Sequence, residues 1–225
     1  MLKVTEKSIN FIESKYDIIE LQPMKTKRGC MTAWCSQDQK VYVWGGLYHE
    51  DVVLKKCEVY DVKKDRWESI KSMNLKRKNP SSTVTKSGLL YVFGGSIPTE
   101  NERETIERYD PIKNSWEILP VKLNNFFDSQ IIFKTSSTTI LIVGGNMLDF
   151  STEQYERSDR VFRLFTQSNY IQEEIPLPKP VYSIYPGFID NTNLMIIDED
   201  HAKEQPTVVI YSIAMFLPGV TADGE

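Results

Sequence analysis

Apolar positions in this chain come in short runs, each closed by glycine or by a cluster of polar turn residues. Three runs end alike: VYVWGG at 41–46, LYVFGG at 90–95 and ILIVGG at 140–145. Runs this short, apolar at nearly every position and rich in Val, Ile and aromatics, predict strands buried on both faces. Shorter, mixed segments flank the first run: GCMTAWC (29–35) before it, KCEVYD (56–61) and RWESI (66–70) after it. Each reads as a further strand bounded by turns.

The pattern repeats in register. Gly45, Gly94 and Gly144 stand 49 and 50 residues apart. Tyr60 lies 14 residues after Gly46, and Tyr109 lies 14 after Gly95. Each tyrosine is followed at once by Asp, and seven residues on by Trp67 or Trp116. Upstream, Arg28 and Arg77 each precede the first glycine of their pair by 17, and Met24 and Met73 precede those arginines by four. A fixed period near fifty with four short strands per unit predicts blades of a propeller. The glycine pairs, Gly45-Gly46, Gly94-Gly95 and Gly144-Gly145, then mark where neighbouring sheets converge. A Cβ there would collide or force a strained backbone.

These residues resemble the Kelch repeat family: Gly-Gly after an apolar strand, then Tyr-Asp, then Trp, with an Arg opening the first strand. The resemblance implies an all-β fold, a Kelch-type β-propeller of about four blades' worth of chain, partial or open, with four antiparallel strands per blade. The expected division is a partial blade at 1–23, blades at 24–70, 71–119 and 120–175, a degenerate blade at 176–217 and a tail at 218–225. In the third unit, Phe162 and Tyr170 stand where Tyr and Trp are expected, and Phe127 stands 17 before Gly144 in place of Arg. In the fourth, NLMIIDED (193–200) and TVVIYSI (207–213) read as strands, with Asp198-Glu199 in place of the glycines. An unclosed ring exposes strand edges and apolar faces, so association through those edges is expected.

Composition narrows the chemistry. A net charge of −4 over 225 residues gives no global reason to expect nucleic acid or an anionic membrane as partner. No run approaches the ~18 apolar residues of a membrane helix, and MLKVTEKSINF lacks the apolar stretch of a secretory signal. Three cysteines, Cys30, Cys35 and Cys57, are too few and odd in number for a disulfide scaffold and suit a reducing, cytoplasmic setting. Cys30 and Cys35 are expected as buried structural thiols. Two histidines leave no metal set to assemble, and neither a G-x-S-x-G nor a P-loop is present. No metal and no cofactor are expected.

One constellation points to binding. The segments between units carry KTKR (25–28) and KRK (76–78). The resemblance implies that these linkers, and the loops after the glycine pairs, share one face around the mouth of a central channel. Lys25, Lys27, Arg28, Lys76, Arg77 and Lys78 then share a rim, where guanidinium forks grip carboxylate or phosphate oxygens. A second role stays open for Arg28 and Arg77: bonding to carbonyls or carboxylates of the blades and holding neighbours in register. His49 follows the first glycine pair, as a partner contact or a solvated loop residue. Asn125 and Phe126, with Met147 to Phe150, offer anchors on the same face, with Phe126 and Phe150 equally placed for the core. The expected function is a protein-interaction module. It would bind a peptide or loop of another protein, acidic to match the rim, as substrate-recognition or cytoskeleton-associated adaptors do. No BTB-like helical segment is legible, so a ligase role belongs to a longer parent chain. The alternative is a carbohydrate-active enzyme on the same fold, a sugar epimerase or oxidase. The histidine shortage counts against the oxidase.

Overall fold

A computed structural model describes residues 20–49, 52–95, 104–123, 130–149, 154–180, 186–188, 193–198 and 207–212. Residues 1–19 of the expected partial blade, Asn125, Phe126, Phe127, Phe150 and the tail at 218–225 lie outside these residues.

The described residues are strands and turns. The first sheet contains β1 (Thr32–Cys35), β2 (Lys40–Trp44), β5 (Cys57–Asp61) and β6 (Arg66–Ile70), with the small hairpin β3 (Leu47–Tyr48) and β4 (Val52–Val53) inserted after β2. The second contains β7 (Ser81–Val84), β8 (Leu90–Phe93), β9 (Thr105–Asp110) and β10 (Ser115–Lys122). The third contains β11 (Ile131–Lys134), β12 (Thr139–Val143), β15 (Val161–Phe165) and β16 (Tyr170–Glu173), with the hairpin β13 (Asn146–Asp149) and β14 (Gln154–Arg157) inserted after β12. A fourth sheet of three strands follows, β17 (Pro186–Phe188), β18 (Asn193–Asp198) and β19 (Thr207–Ser212). Every pairing is antiparallel between sequence neighbours in the sheet, as in propeller blades.

The sheets stack face to face, which explains the continuous apolar runs. Along β8, Leu90 and Val92 pack with Trp44, Cys57, Met73 and Tyr109 in the layer shared with the first sheet. Tyr91 and Phe93 point the other way, into the layer shared with the third sheet, against Ile106, Ile140, Ile142 and Leu164. A strand with both faces covered has no polar positions to spare. Each such large side chain contributes about 1.5–3 kcal/mol by leaving water.

The Tyr-Asp and Trp signals serve the turns at one end. Asp61 Oδ1 accepts the main-chain N–H of Lys63 and Lys64 at 3.1 and 3.2 Å, and Asp110 does the same for Ile112 and Lys113 at 2.9 and 3.2 Å. Asp65 and Asn114 then close these turns at φ +46° and +49°, which Asp and Asn tolerate best among residues with a Cβ.

The third sheet corrects the expected positions of its aromatics. Register pairs Ile140 with Leu164 and Leu164 with Ile171, so Leu164 and Ile171 take the places of Tyr60 and Trp67. The aromatic pair moves one residue outward to Phe165 and Tyr170, with ring centroids 5.9 Å apart. A one-residue step turns a strand side chain to the opposite face. Phe162, opposite Ile142, stands where Glu58 faces Val43 and Glu107 faces Val92.

Candidate functional site

Strand direction sorts the loops. β2, β6, β8 and β12 all run toward one end of the stack, so the glycine pairs, the described linker at 71–80 and the inserted hairpins gather there. The turns that close β5–β6 and β9–β10 lie at the other end.

At the loop end, the glycines make the joint. Gly45 and Gly46 adopt φ +64° and +98°, and Gly46 N–H donates to the Arg77 carbonyl at 2.8 Å. A Cβ on Gly45 would sit 2.5 Å from that same carbonyl oxygen. Main-chain bonds from Arg77 to Leu54 (3.0 Å) and from Asn79 to Cys30 (2.9 Å) complete the seam. Nearer the hub, Thr32 Oγ1 donates to the Pro80 carbonyl, and Ser81 Oγ donates to the Gln130 carbonyl at 2.8 Å.

The segments leading into the first and second sheets are also held at their outer ends. Trp67 Nε1 donates to the Gln22 carbonyl, and Trp116 Nε1 to the Lys71 carbonyl, both at 2.8 Å. The N–H groups of Gln22 and Lys71 donate to Asp65 and Asn114, which also accept from the Tyr60 and Tyr109 hydroxyls. The bond to the Asp65 carboxylate pushes the Tyr60 hydroxyl up to about 12.

Arg28 and Arg77 do not reach a solvent-facing channel mouth. Both side chains are 0% exposed. Arg28 donates to Gly45 O at 2.9 Å, Lys56 O at 2.7 Å and Glu58 Oε1 at 2.6 Å. Arg77 donates to Gly94 O at 2.6 Å, Thr105 Oγ1 at 2.8 Å and Glu107 Oε1 at 3.0 Å. Of the two roles the sequence leaves open, this geometry describes the structural one, and the rim grip expected of these arginines is corrected accordingly. The glutamates are locked as well: Glu58 accepts from the main-chain N–H of Lys25 and Thr26, and Glu107 from those of Asn74 and Leu75. Both glutamates were missed by the sequence reading. Their signal was present, since each lies 13 residues after the first glycine of its pair.

The lysines stand differently. Lys25, Lys27 and Lys76 are exposed and Lys78 half-buried. Lys55 and Lys56 add two more exposed ammonium groups to this end. Among the described residues none of the six has a carboxylate partner. His49 is exposed at the end of β3, at φ +54°, with its ring 4.1 Å from that of Tyr48. Met31 and Val52 add exposed apolar surface nearby.

Cys30 and Cys35 are exposed, contrary to the burial expected of them. β1 is an edge strand, and its alternation turns Trp34 inward and Cys35 outward. Cys57, on a central strand, is buried, and burial pushes its thiol up to about 12. Among the described residues, no three His, Cys, Asp or Glu side chains converge as a metal set would.

Comparison with known proteins agrees with this architecture. The sequence model of the Kelch motif matches residues 28–74 and 77–120. An F-box/kelch-repeat protein of Arabidopsis thaliana is 34% identical over 192 residues, 81% of this chain and 45% of that protein. Kelch-like protein 40 of Xenopus tropicalis is 38% identical over 82 residues, 36% of this chain and 13% of that protein. N-acetylneuraminate epimerase of Salmonella arizonae is 30% identical over 133 residues, 55% of this chain and 32% of that protein. The chain spans less than half the length of each of these relatives.

Proposed function

Because the chain belongs to the Kelch repeat family, with motif matches in two units and Kelch-repeat relatives, we propose that it is a protein-interaction module that binds an acidic segment of another protein at its loop end. The observation that carries this reading is the separation of charge at that end. The glutamates beside the linkers are buried in arginine pairs, while Lys25, Lys27, Lys55, Lys56 and Lys76 are exposed and Lys78 half-buried, none with a described carboxylate partner. Opposite charge on a partner gains steering and specificity from such a rim. Tyr48, His49, Met31 and Val52 supply apolar and aromatic contact beside it, the residue types that anchor interfaces. Repeated loops on a rigid stack suit recognition rather than turnover. Adaptor relatives such as the F-box/kelch and Kelch-like proteins support this reading. The free thiols suit a reducing, cytoplasmic setting.

The test is fluorescence anisotropy with a labelled Glu/Asp-rich peptide against the full chain. Binding is expected to weaken with salt and to fall about tenfold in Lys27→Gln/Lys76→Gln/Lys78→Gln, from about 0.5 kcal/mol per rim charge removed. Equal affinity for a Lys-rich peptide of the same length would overturn the reading. The similarity to an N-acetylneuraminate epimerase supports a second reading, a carbohydrate-active enzyme. Interconversion of the two N-acetylneuraminate anomers by the purified chain, followed by NMR of the C3 methylene protons, would establish it.

A further inference from the structure

A cleft of about 180 Å³ opens between the first and second sheets at the turn end, opposite the lysine rim. Tyr42, Val59 and Glu68 line it from the first sheet, and Tyr109 and Asn114 from the second. It is smaller than the ~300–1,000 Å³ of small-molecule sites and has the scale of one side chain.

The repeat shows what fills this place elsewhere. In the second sheet, Tyr91, Arg108 and Glu117 stand in successive strands in the register that Tyr42, Val59 and Glu68 hold in the first. There Arg108 crosses the sheet and donates to Glu117 Oε2 at 2.6 Å. In the third sheet the same register position is Arg163, opposite Leu141, which donates to Glu174 Oε1 at 2.5 Å. The first sheet keeps the tyrosine and the glutamate but has Val59 where the other two have arginine. The cleft thus opens beside the register position that arginine holds in the other two sheets. Glu68 instead pairs with Arg66 of its own strand, both side chains largely in solvent.

The surroundings suit a cation. The two lysines at the mouth are already matched, Lys40 to Asp38 at 2.9 Å and Lys64 to Asp61 at 3.3 Å. Their charge is thereby offset. Val59 and Ile70 give apolar walls for a methylene stem, and Tyr42 and Tyr109, which also line the cleft, are aromatic neighbours of the kind a guanidinium favours. A carboxylate holds up to four lone-pair sites, so Glu68 keeps capacity beyond its contact with Arg66.

We propose that this cleft receives an arginine side chain presented by a partner protein, which takes the place that Arg108 and Arg163 fill from within their own sheets. The site is distinct from the lysine rim and does not rest on it. The test is a ¹H–¹⁵N NMR titration of the full chain with N-acetyl-arginine amide, with N-acetyl-citrulline amide as the neutral isostere. Saturable shifts at the backbone amides of Tyr42, Glu68 and Asn114 are expected with the arginine compound and not with the citrulline one. Val59→Arg, which fills the cleft from within, is expected to abolish them. Glu68→Gln, an exposed change that leaves the strand intact, is expected to weaken binding about threefold or more, because it removes the charge assistance from the acceptor. The lysine-rim variant is expected to bind as wild type. No saturable shift, equal shifts with citrulline, or unchanged binding in a folded Glu68→Gln protein would overturn the proposal.

Discussion

Arg77 and Glu107 form an ion pair at 3.0 Å with neither side chain exposed, on the seam where the second sheet meets the first. Breaking such a pair from one side leaves a buried charge, at a cost of about 3–5 kcal/mol. Arg77→Met or Glu107→Gln alone is expected to destabilise on that scale in urea unfolding. The third sheet has Phe162 in the glutamate's register position, and Phe127 holds the arginine's spacing in the sequence. Arg77→Phe with Glu107→Phe is therefore expected to cost clearly less than the sum of Arg77→Phe and Glu107→Phe made singly. Strict additivity would show that the two groups stabilise the seam independently.

Gly45→Ala meets two obstacles, a positive φ of +64° and a carbonyl oxygen 2.5 Å from the new Cβ. Gly88, at φ +81° with open space around it, meets only the first. Strain alone costs about 1–3 kcal/mol. Thermal unfolding is expected to place Gly88→Ala within that range and Gly45→Ala beyond it.

Thiol accessibility is expected to divide two to one. At pH 8 a maleimide is expected to modify Cys30 and Cys35 in the folded chain and Cys57 only after denaturation. Cys57 is buried and its thiol is pushed up to about 12, which leaves almost no thiolate. Mass spectrometry of the adducts checks this.

Asp65 links one turn to acidity. The hydrogen bond from Tyr60 holds its carboxyl below the ordinary value of 3.8, and the Gln22 N–H adds to this. A carboxyl depressed by folding contributes stability above its unfolded pKa and loses it as pH falls through the folded one. Asp65→Asn keeps the acceptor, as Asn114 does in the next sheet. It is expected to be less stable than wild type at pH 7 and to decline less steeply below about pH 4, so that the two converge in acid. Urea midpoints measured from pH 7 to pH 2 test the slope.

The strands of the first two sheets were legible because burial on both faces leaves an unbroken apolar signature, and the Gly, Tyr-Asp and Trp spacings fix the register. The roles of Arg28 and Arg77 were not, because a shared position tells that a side chain matters and not which way it faces. Their partners Glu58 and Glu107 looked like ordinary charges in polar-flanked strands. Only pairing across the sheet brings each within 3.0 Å of a guanidinium. In the third sheet, composition offered three aromatics for two places, and alternation across the strand decided among them. The cleft beside Val59 was illegible for a related reason, since it exists only as a difference between units once they are laid in register.

The seam that carries Gly46 N–H to the Arg77 carbonyl is written in peptide groups. Gly144 and Gly145 keep the same twist, at φ +59° and +100°, although the third unit has exchanged its charged residues for phenylalanines. What passes from one unit to the next is thus a chain path, and the side chains around it are free to diverge so long as glycine holds the bend. Units on this plan can be shuffled or retuned for new ligands without redesigning how they dock.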